Sequence, residues 1–304
     1  MQCLIVIPTY NRSALIGRAV VSALAQTLET SHVMVIDDGS TDDTYKVLTP
    51  FFDNPRFCYV RLGANVGTAR AKNVAIAYGV YDAITFHDSD DIADPNKLLL
   101  QARCMARQDV YADPCLNWAQ SGIKSATQLE IGLVLSQHWL IGADGSRRKI
   151  SRALSLVDDF FPNLQMNAGP LGDWILINSG LFAKRVFEKV GGFQNCVEED
   201  RELRNRILMQ GEVIWLLEEP LLTKIECDDS LTVAQDTNYA SPQRQVDRDL
   251  VWERAMSWRT GSPAPRLGID LENVIVDHVS RPALFRSETK RASLTPRLDE
   301  GAAL

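Results

Sequence analysis

The chain has 304 residues, of which 45% are hydrophobic and 23% charged, and its formal net charge is -7. That length can bury a full core in one or two domains, and the composition is ordinary for a soluble globular protein. The acidic balance argues against a nucleic-acid surface or a basic membrane patch, and no apolar run approaches the roughly 20 residues of a membrane-spanning helix. Cys3-Leu4-Ile5-Val6-Ile7 starts a strand with no basic region before it, so no signal peptide is expected. The six cysteines, Cys3, Cys58, Cys104, Cys115, Cys196 and Cys227, are scattered without C-x-x-C spacing. They read as small core hydrophobes in a reducing cytoplasm.

Cys3 to Pro8 is apolar throughout, the pattern of a strand buried on both faces of a parallel sheet. Pro8-Thr9-Tyr10-Asn11 is a loop. Ser13 is placed to cap a helix whose apolar face is Leu15, Ile16, Ala19, Val20, Ala23 and Leu24. Val33–Ile36 is a second strand and ends in Asp37-Asp38-Gly39-Ser40-Thr41-Asp42-Asp43-Thr44, where Ser40 and Asp43 have capping-box spacing. Phe57–Leu62 is a third strand. Asn65-Val66-Gly67 then turns the chain into a helix carrying Arg70, Lys72 and Asn73. A fourth strand, Ala83–Phe86, runs into His87-Asp88-Ser89-Asp90-Asp91, and Pro95 opens a helix to about Arg107. Three carboxylates in so short a stretch repel one another, and each costs roughly several kcal/mol to take from water unpaired. Such a cluster is either a solvated acidic turn or the seat of a hard cation, Mg2+ or Mn2+.

The next segment is less periodic. Val110-Tyr111-Ala112 reads as a short strand, Ser121–Gln137 as an amphipathic helix or an extended insertion, and Gly142–Gly145 as a turn. Trp174–Ile177 reads as a strand, Leu181–Val190 as a helix stopped by Gly191-Gly192, and Glu198-Glu199-Asp200 as the start of another helix stopped by Gly211. Val213–Leu217 is a final strand, and the periodicity fades after Thr232. Alternating strands and helices give right-handed crossovers and a mostly parallel α/β sheet. In such sheets ligands bind beyond the carboxyl ends of the strands, and the polar motifs Pro8–Asn11, Asp37–Ser40, Asn65–Lys72 and Asp88–Asp91 all lie there.

These motifs, in this order, resemble family 2 glycosyltransferases. The resemblance covers about residues 3–232. It rests on Ile7–Arg12, Val35–Asp42, Asn65-Val66-Gly67 with Ala71-Lys72-Asn73, Asp88–Asp91, Gly191-Gly192-Phe193, and Glu199-Asp200 with Leu203, Arg206 and Gly211. It implies the GT-A fold, with a catalytic domain over 1–232 and a C-terminal extension over 233–304. Within the domain, residues to about 115 would form the nucleotide half and 116–232 the acceptor half. It also implies an inverting, metal-dependent transfer of a sugar from a nucleotide donor to a hydroxyl, with a uridine diphosphate sugar favoured.

The implied donor-binding set is Pro8, Thr9, Tyr10, Asn11, Asp38, Asn65, Arg70, Lys72, Asp88 and Asp90. Tyr10 can lie against a nucleobase. Asp38 can accept from a uracil imide, and Arg70 or Lys72 would face the base or the diphosphate. Asp90 and Asp91 are the implied ligands of Mn2+ or Mg2+. Asp200 is the implied base, with Glu199 beside it, and Glu198 leaves the register open by one. Arg206 would buttress the site or contact phosphate, and His87 reads as a core histidine. Cys227 stands where relatives carry a histidine, so either Asp228 or Asp229 would substitute as an oxygen ligand or the metal would have fewer protein ligands. The Q-x-x-R-W signature of processive synthases is missing, so one sugar per encounter is expected. The acceptor would be a carbohydrate or a lipid-linked molecule, in a cytoplasmic protein with peripheral membrane association left open. The alternatives are a binding protein of the same fold without turnover, a nucleotidyltransferase, which would need a glycine-rich phosphate loop after the first strand, and a phosphoacceptor domain, which would not use Glu199-Asp200.

Overall fold

The computed structural model describes residues 1–108, 130–151, 176–210, 212–226 and 241–285. The first half follows the expected alternation. Strands β1 (Cys3–Thr9), β2 (Ser31–Asp37), β3 (Phe57–Leu62) and β4 (Ala83–Phe86) alternate with helices α1 (Ser13–Leu24), α2 (Thr44–Leu48) and α3 (Thr68–Tyr78). A two-residue strand β5 (Ile92–Ala93) and helix α4 (Lys97–Met105) follow. β1 pairs in parallel with β2 and β4, and β2 with β3. Side chains alternate between the two faces of each strand. Leu4, Val6, Met34, Ile36, Cys58 and Val60 therefore enter one apolar cluster with α3, and Cys3, Ile5, Ile7, Val33 and Val35 enter the other with α1 and α4.

The second half is mixed. It comprises β6 (Ile131–Ile141), β7 (Arg147–Ile150), β8 (Leu181–Ala183), α5 (Lys184–Val190), α6 (Glu199–Met209), β9 (Val213–Ile225), α7 (Pro242–Arg259) and β10 (Val276–Val279). The sheet order is β10-β3-β2-β1-β4-β8-β6-β9-β5, with β7 on β6. β8 is antiparallel to both β4 and β6, β5 to β9, and β10 to β3, whereas β6 and β9 run in parallel. The parallel expectation holds for the four strands of the first half and gives way where short strands return directly.

Several boundaries differ from the sequence reading. Leu181-Phe182-Ala183 is a strand, and the helix begins only at Lys184. These three residues extend the sheet beside β4, and burial there outweighs a spacing that also suits a helix. Leu176 and Ile177 lie outside regular structure, and Trp174 and Ile175 lie outside the described residues, as does the strand read at 110–112. Of Ser121–Gln137, the described part from Ile131 is extended, and it forms the start of β6. The segment after 232, where the periodicity fades, carries a helix and an edge strand. In α7, Ser241 Oγ accepts the Arg244 N–H at 3.3 Å and Pro242 occupies the first turn. Val251, Ala255 and Trp258 of α7 are buried, and β10 adds an edge strand to the sheet. Among the described residues no helix is long and apolar enough to cross a membrane.

Candidate active site

The loops at the carboxyl ends of β1 and β2 form one unit. The Thr9 carbonyl accepts the Asp38 N–H at 2.8 Å. Asn11 is held at φ 52°, a left-handed conformation that asparagine tolerates. Its N–H donates to Ser40 Oγ at 2.9 Å, and its Oδ1 accepts the Thr41 N–H at 2.8 Å. Ser40 therefore serves the neighbouring loop and not a capping box. α2 starts at Thr44, whose N–H and hydroxyl both donate to Asp42 Oδ1, at 3.0 and 2.6 Å. Nor does Ser13 cap α1: it lies inside the helix, and its own N–H donates to Asp42 Oδ2 at 2.9 Å. Gly39 has φ 76°, and a Cβ there would lie 2.8 Å from the Ala64 backbone, so this turn needs glycine.

The two aspartates at the carboxyl end of β2 are both buried. Asp37 accepts the Ser40 N–H at 2.8 Å and the Tyr59 hydroxyl at 2.5 Å. Asp38 accepts the N–H groups of Val66 and Gly67 at 2.8 and 2.9 Å, and burial raises its carboxyl above the usual range. Asp38 thereby fixes the Asn65–Gly67 turn where α3 begins. Pro8 and Thr9 are buried in β1, whereas Tyr10, at 43% exposure, and Asn65 face solvent.

α3 separates the two basic candidates, because residues two apart point to nearly opposite sides of a helix. Arg70 turns to the C-terminal segment and pairs with Asp270 and Glu272, each at 3.0 Å. Its fork is committed there, so among the described contacts it serves to anchor residues 270–272. Lys72 turns inward and is 1% exposed. Its Nζ lies 2.9 Å from Glu199 Oε1 and 4.9 Å from the centre of the Phe193 ring. Burial by itself would lower the Lys72 ammonium, but Glu199, Asp88 and Asp200 outweigh it and hold the pKa above its ordinary value.

β4 delivers the acidic cluster. Asp88 is partly exposed, and Lys224 Nζ from the end of β9 lies 3.9 Å from its Oδ2. Asp90 is 7% exposed, and burial and then Asp88 raise its carboxyl. Asp91 is 1% exposed; burial lifts it well above the carboxylate range, and Oδ1 is buried without a protein partner. A buried acceptor in that state calls for a proton or a cation. Lys224 was missed in the sequence, although it stands just before the Glu226–Thr232 segment that drew attention. His87 is buried, and its ring is held to a pKa of about 4 by burial and then Lys97, so it is a neutral core residue at pH 7.

Three consecutive acids at the start of α6 have three different surroundings. Glu198, 2% exposed, faces Arg201, Arg244 and Arg248. Glu199 is tied to Lys72. Asp200 lines a cleft together with Phe86, Asp88, Asp91, Asn178 and Ser179, and its Oδ1 accepts only the adjacent Arg201 N–H, at 2.7 Å. Asp200 is thus the acid of the three that the fold brings to the Asp88–Asp91 cluster, and it has no ion-pair partner among the described residues. The loop before α6 is set by close contacts. Asn73 exchanges two hydrogen bonds with Phe193, at 2.8 and 3.0 Å, and a Cβ on Gly192 would lie 2.5 Å from Asn73 Oδ1. Arg206 is fully buried: Nε and Nη2 donate to Glu202, Nη1 donates to the Val190 carbonyl at 2.5 Å, and Nη2 also donates to the Gly192 carbonyl at 2.7 Å. It buttresses this loop and makes no approach to the cleft.

The sequence model described as "Glycosyl transferase family 2" matches residues 4–149, the segment that carries β1 to β4 and the acidic cluster. The chain carries a family 2 glycosyltransferase domain. A UDP-Glc:alpha-D-GlcNAc-diphosphoundecaprenol beta-1,3-glucosyltransferase of Escherichia coli is 36% identical over 107 residues, which are 35% of this chain and 42% of that protein. A succinoglycan biosynthesis protein of Rhizobium meliloti is 43% identical over 95 residues, 31% of this chain and 28% of that protein. The chain therefore spans less than half the length of these curated relatives. Among solved structures, S. aureus TarS residues 1–349 in complex with UDP-GlcNAc superpose with a TM-score of 0.57 at 17% identity, over 88% of this chain and 68% of that one. A mannosyltransferase of Pyrobaculum calidifontis, in complex with GDP-Man and Mn2+, gives 0.53 at 18% identity, over 90% and 68%. These likenesses carry the fold, and the transferase domain shares the GT-A arrangement with both.

A divalent cation would fall to the transferase domain's oxygen donors. Among the described residues no three acidic, histidine or cysteine side chains converge as a metal cage. Cys227, Asp228 and Asp229 lie outside the described residues. The orphaned Asp91 Oδ1 and the neighbouring Asp90 nevertheless suit a hard ion that takes one or two carboxylates and completes its shell with substrate phosphates and water.

Proposed function

We propose that the chain is an inverting, metal-dependent glycosyltransferase. It moves a sugar from a nucleoside diphosphate donor, a uridine diphosphate sugar by preference, to a hydroxyl of a carbohydrate or lipid-linked acceptor. The place of the reaction would be polysaccharide or glycoconjugate synthesis. The observation that carries this reading is the one cleft that Asp88, Asp91 and Asp200 line together, with no ion pair to Asp200 among the described residues. A donor site and a base on opposite sides of one small space are what a displacement at an anomeric carbon requires. The relatives support the donor class, since their names or bound ligands include UDP-glucose, UDP-GlcNAc and GDP-mannose.

In this reading Tyr10 lays its exposed ring against the base, while Asp38 shapes the pocket through the Val66–Gly67 turn it holds. Asp88 and Asp90 would face the ribose and the cation, and Asp91 would hold the cation. A bound cation would supply Lewis-acid neutralisation of the charge on the departing diphosphate. Asp200 takes the proton of the acceptor hydroxyl. The acceptor oxygen bonds to the anomeric carbon as the bond to the diphosphate oxygen breaks on the opposite face, which inverts the centre. Lys72 holds Glu199 in an ion pair, so the acid beside the base is already engaged.

A panel of nucleoside diphosphates and divalent ions in thermal denaturation tests the donor side. Uridine diphosphate with Mn2+ or Mg2+ is expected to stabilise the protein most, by about 2.7 kcal/mol at 100-fold excess over Kd. A guanosine diphosphate shift far above that of uridine diphosphate overturns the base assignment. Asp91→Asn keeps the volume and removes the charge. It should abolish the metal-dependent part of that stabilisation, and binding that ignores a chelator in the native protein would remove the cation from the scheme.

A further inference from the structure

One wall of the cleft is the turn over residues 176–180, and the chain clamps it to β4 and α4. The Gly180 N–H donates to the Ile177 carbonyl at 3.0 Å, and the Ser179 hydroxyl donates to the Leu176 carbonyl at 3.0 Å. The Phe86 N–H, at the end of β4, donates to the Asn178 carbonyl at 3.1 Å. The Ser179 carbonyl accepts the Thr85 hydroxyl at 3.2 Å and Gln101 Nε2 at 3.3 Å. The backbone of Asn178 is thereby fixed to the strand that delivers Asp88 and Asp91. Its side chain is not tied in this way. Oδ1 is buried without a hydrogen-bond donor, and among the described residues Nδ2 makes no hydrogen bond either. An orphaned buried acceptor is destabilising and uncommon in folded proteins. A purely structural asparagine in such a turn would bond its amide to the backbone beside it, as Ser179 does with its hydroxyl. Asn178 instead lines the cleft with Asp88, Asp91 and Asp200. Rotation about its χ2 is broad, so either end of the amide can be presented to a ligand. Among the described residues it is the neutral polar side chain of the cleft with bonding capacity to spare, because the Ser179 hydroxyl is already engaged.

We propose that Asn178 is a specificity-determining residue, whose amide hydrogen-bonds a hydroxyl of the transferred sugar. This rests on the glycosyltransferase reading. There the diphosphate stands at Asp88–Asp91 and the base is Asp200, so the sugar under attack occupies the cleft that these residues share with Asn178. A hydroxyl both donates and accepts, which matches either end of the amide. A neutral amide suits the place, because it bonds a hydroxyl without adding charge to the carboxylates of the cleft. A sugar without that hydroxyl leaves the amide orphaned again, so the contact discriminates between sugars that differ at one position.

The test is calorimetric titration of the full chain, with Mg2+ present, against UDP-glucose, UDP-GlcNAc and GDP-mannose beside UDP and GDP. The nucleotide sugar that binds the native protein most tightly is then followed through its single-deoxy forms. Asn178→Leu keeps the bulk and removes the amide, and Asn178→Ala removes both. Each should weaken the nucleotide sugar about ten-fold and the matching nucleoside diphosphate less than about two-fold. The retained diphosphate affinity also shows that the variant is folded. One deoxy form should bind the native protein about ten-fold more weakly than its parent and lose no further affinity in either variant. Equal losses for nucleotide sugar and diphosphate would make Asn178 a structural residue and overturn the proposal. A native protein that tolerates every deoxy form, a measurement that needs no variant, overturns it as well, and so does a deoxy penalty that persists in full in both variants. If neither nucleotide sugars nor diphosphates bind, the glycosyltransferase reading itself fails. Diphosphate binding together with nucleotide-sugar affinity that ignores residue 178 overturns this inference alone.

Discussion

Asp200→Asn should cut transfer by about 10^2 to 10^4 while leaving donor affinity nearly unchanged. The variant has the same shape and still accepts the Arg201 N–H, so α6 keeps its start. What it loses is the ability to take a proton, an interaction made only as the acceptor attacks. A loss of that kind lowers the rate and leaves the donor Michaelis constant alone. Glu199→Gln provides the register control. Glu199 is bound to Lys72, so its replacement leaves a buried ammonium half-satisfied. It should lower stability and raise the donor constant before it touches the chemical step. Steady-state kinetics with both substrates, and release of nucleoside diphosphate with and without acceptor, read these effects. If Asp200→Asn turned over at the native rate, another group would have to be the base. If neither protein released nucleoside diphosphate in response to any acceptor, the binding-only alternative would stand in front.

The largest stability effect is expected at Arg206. Its guanidinium is fully buried on Glu202 and two carbonyls, so Arg206→Met leaves a carboxylate and two backbone acceptors unpaired in the core. Breaking a buried pair from one side costs about 3–5 kcal/mol. That is a large share of an ordinary domain's stability, and it corresponds to a drop in melting temperature on the order of 10 °C. The double variant Arg206→Met, Glu202→Leu should recover part of the loss, because the stranded charge is gone while the Val190 and Gly192 carbonyls still want donors. Urea denaturation of the three proteins checks this. A single-variant loss under about 1 kcal/mol would mean that the loop before α6 does not depend on this contact.

The sequence by itself determined the first half of the molecule. Apolar runs such as Cys3–Ile7 and Val33–Ile36 can be buried only as central strands, and glycines such as Gly39 and Gly191 stand at φ 76° and 86°, where other residues are strained. With four polar motifs at successive strand ends, the rim proposed to bind the donor is legible in the sequence. The second half was not. Leu181–Ala183 suits either a helix or a strand by spacing, and only the open edge of β4 decides for a strand. The strand β10 and helix α7 lie in a segment whose arginines and prolines hide the buried positions Val251, Ala255 and Trp258. Tertiary structure alone decided the site's charges. Glu198, Glu199 and Asp200 are three acids in a row, and nothing in their order says which is caged by arginines, which is paired with Lys72 and which faces the cleft. Their directions come from helix geometry at α6, and their partners come from residues 46 positions later and 127 earlier in the chain. In the same way Arg70 and Lys72 look equivalent in sequence. The packing of α3 sends one to Asp270 and Glu272 at the surface and the other into the core beneath Asp88 and Asp200, because a turn of helix that separates two residues by about 200° gives them opposite surroundings.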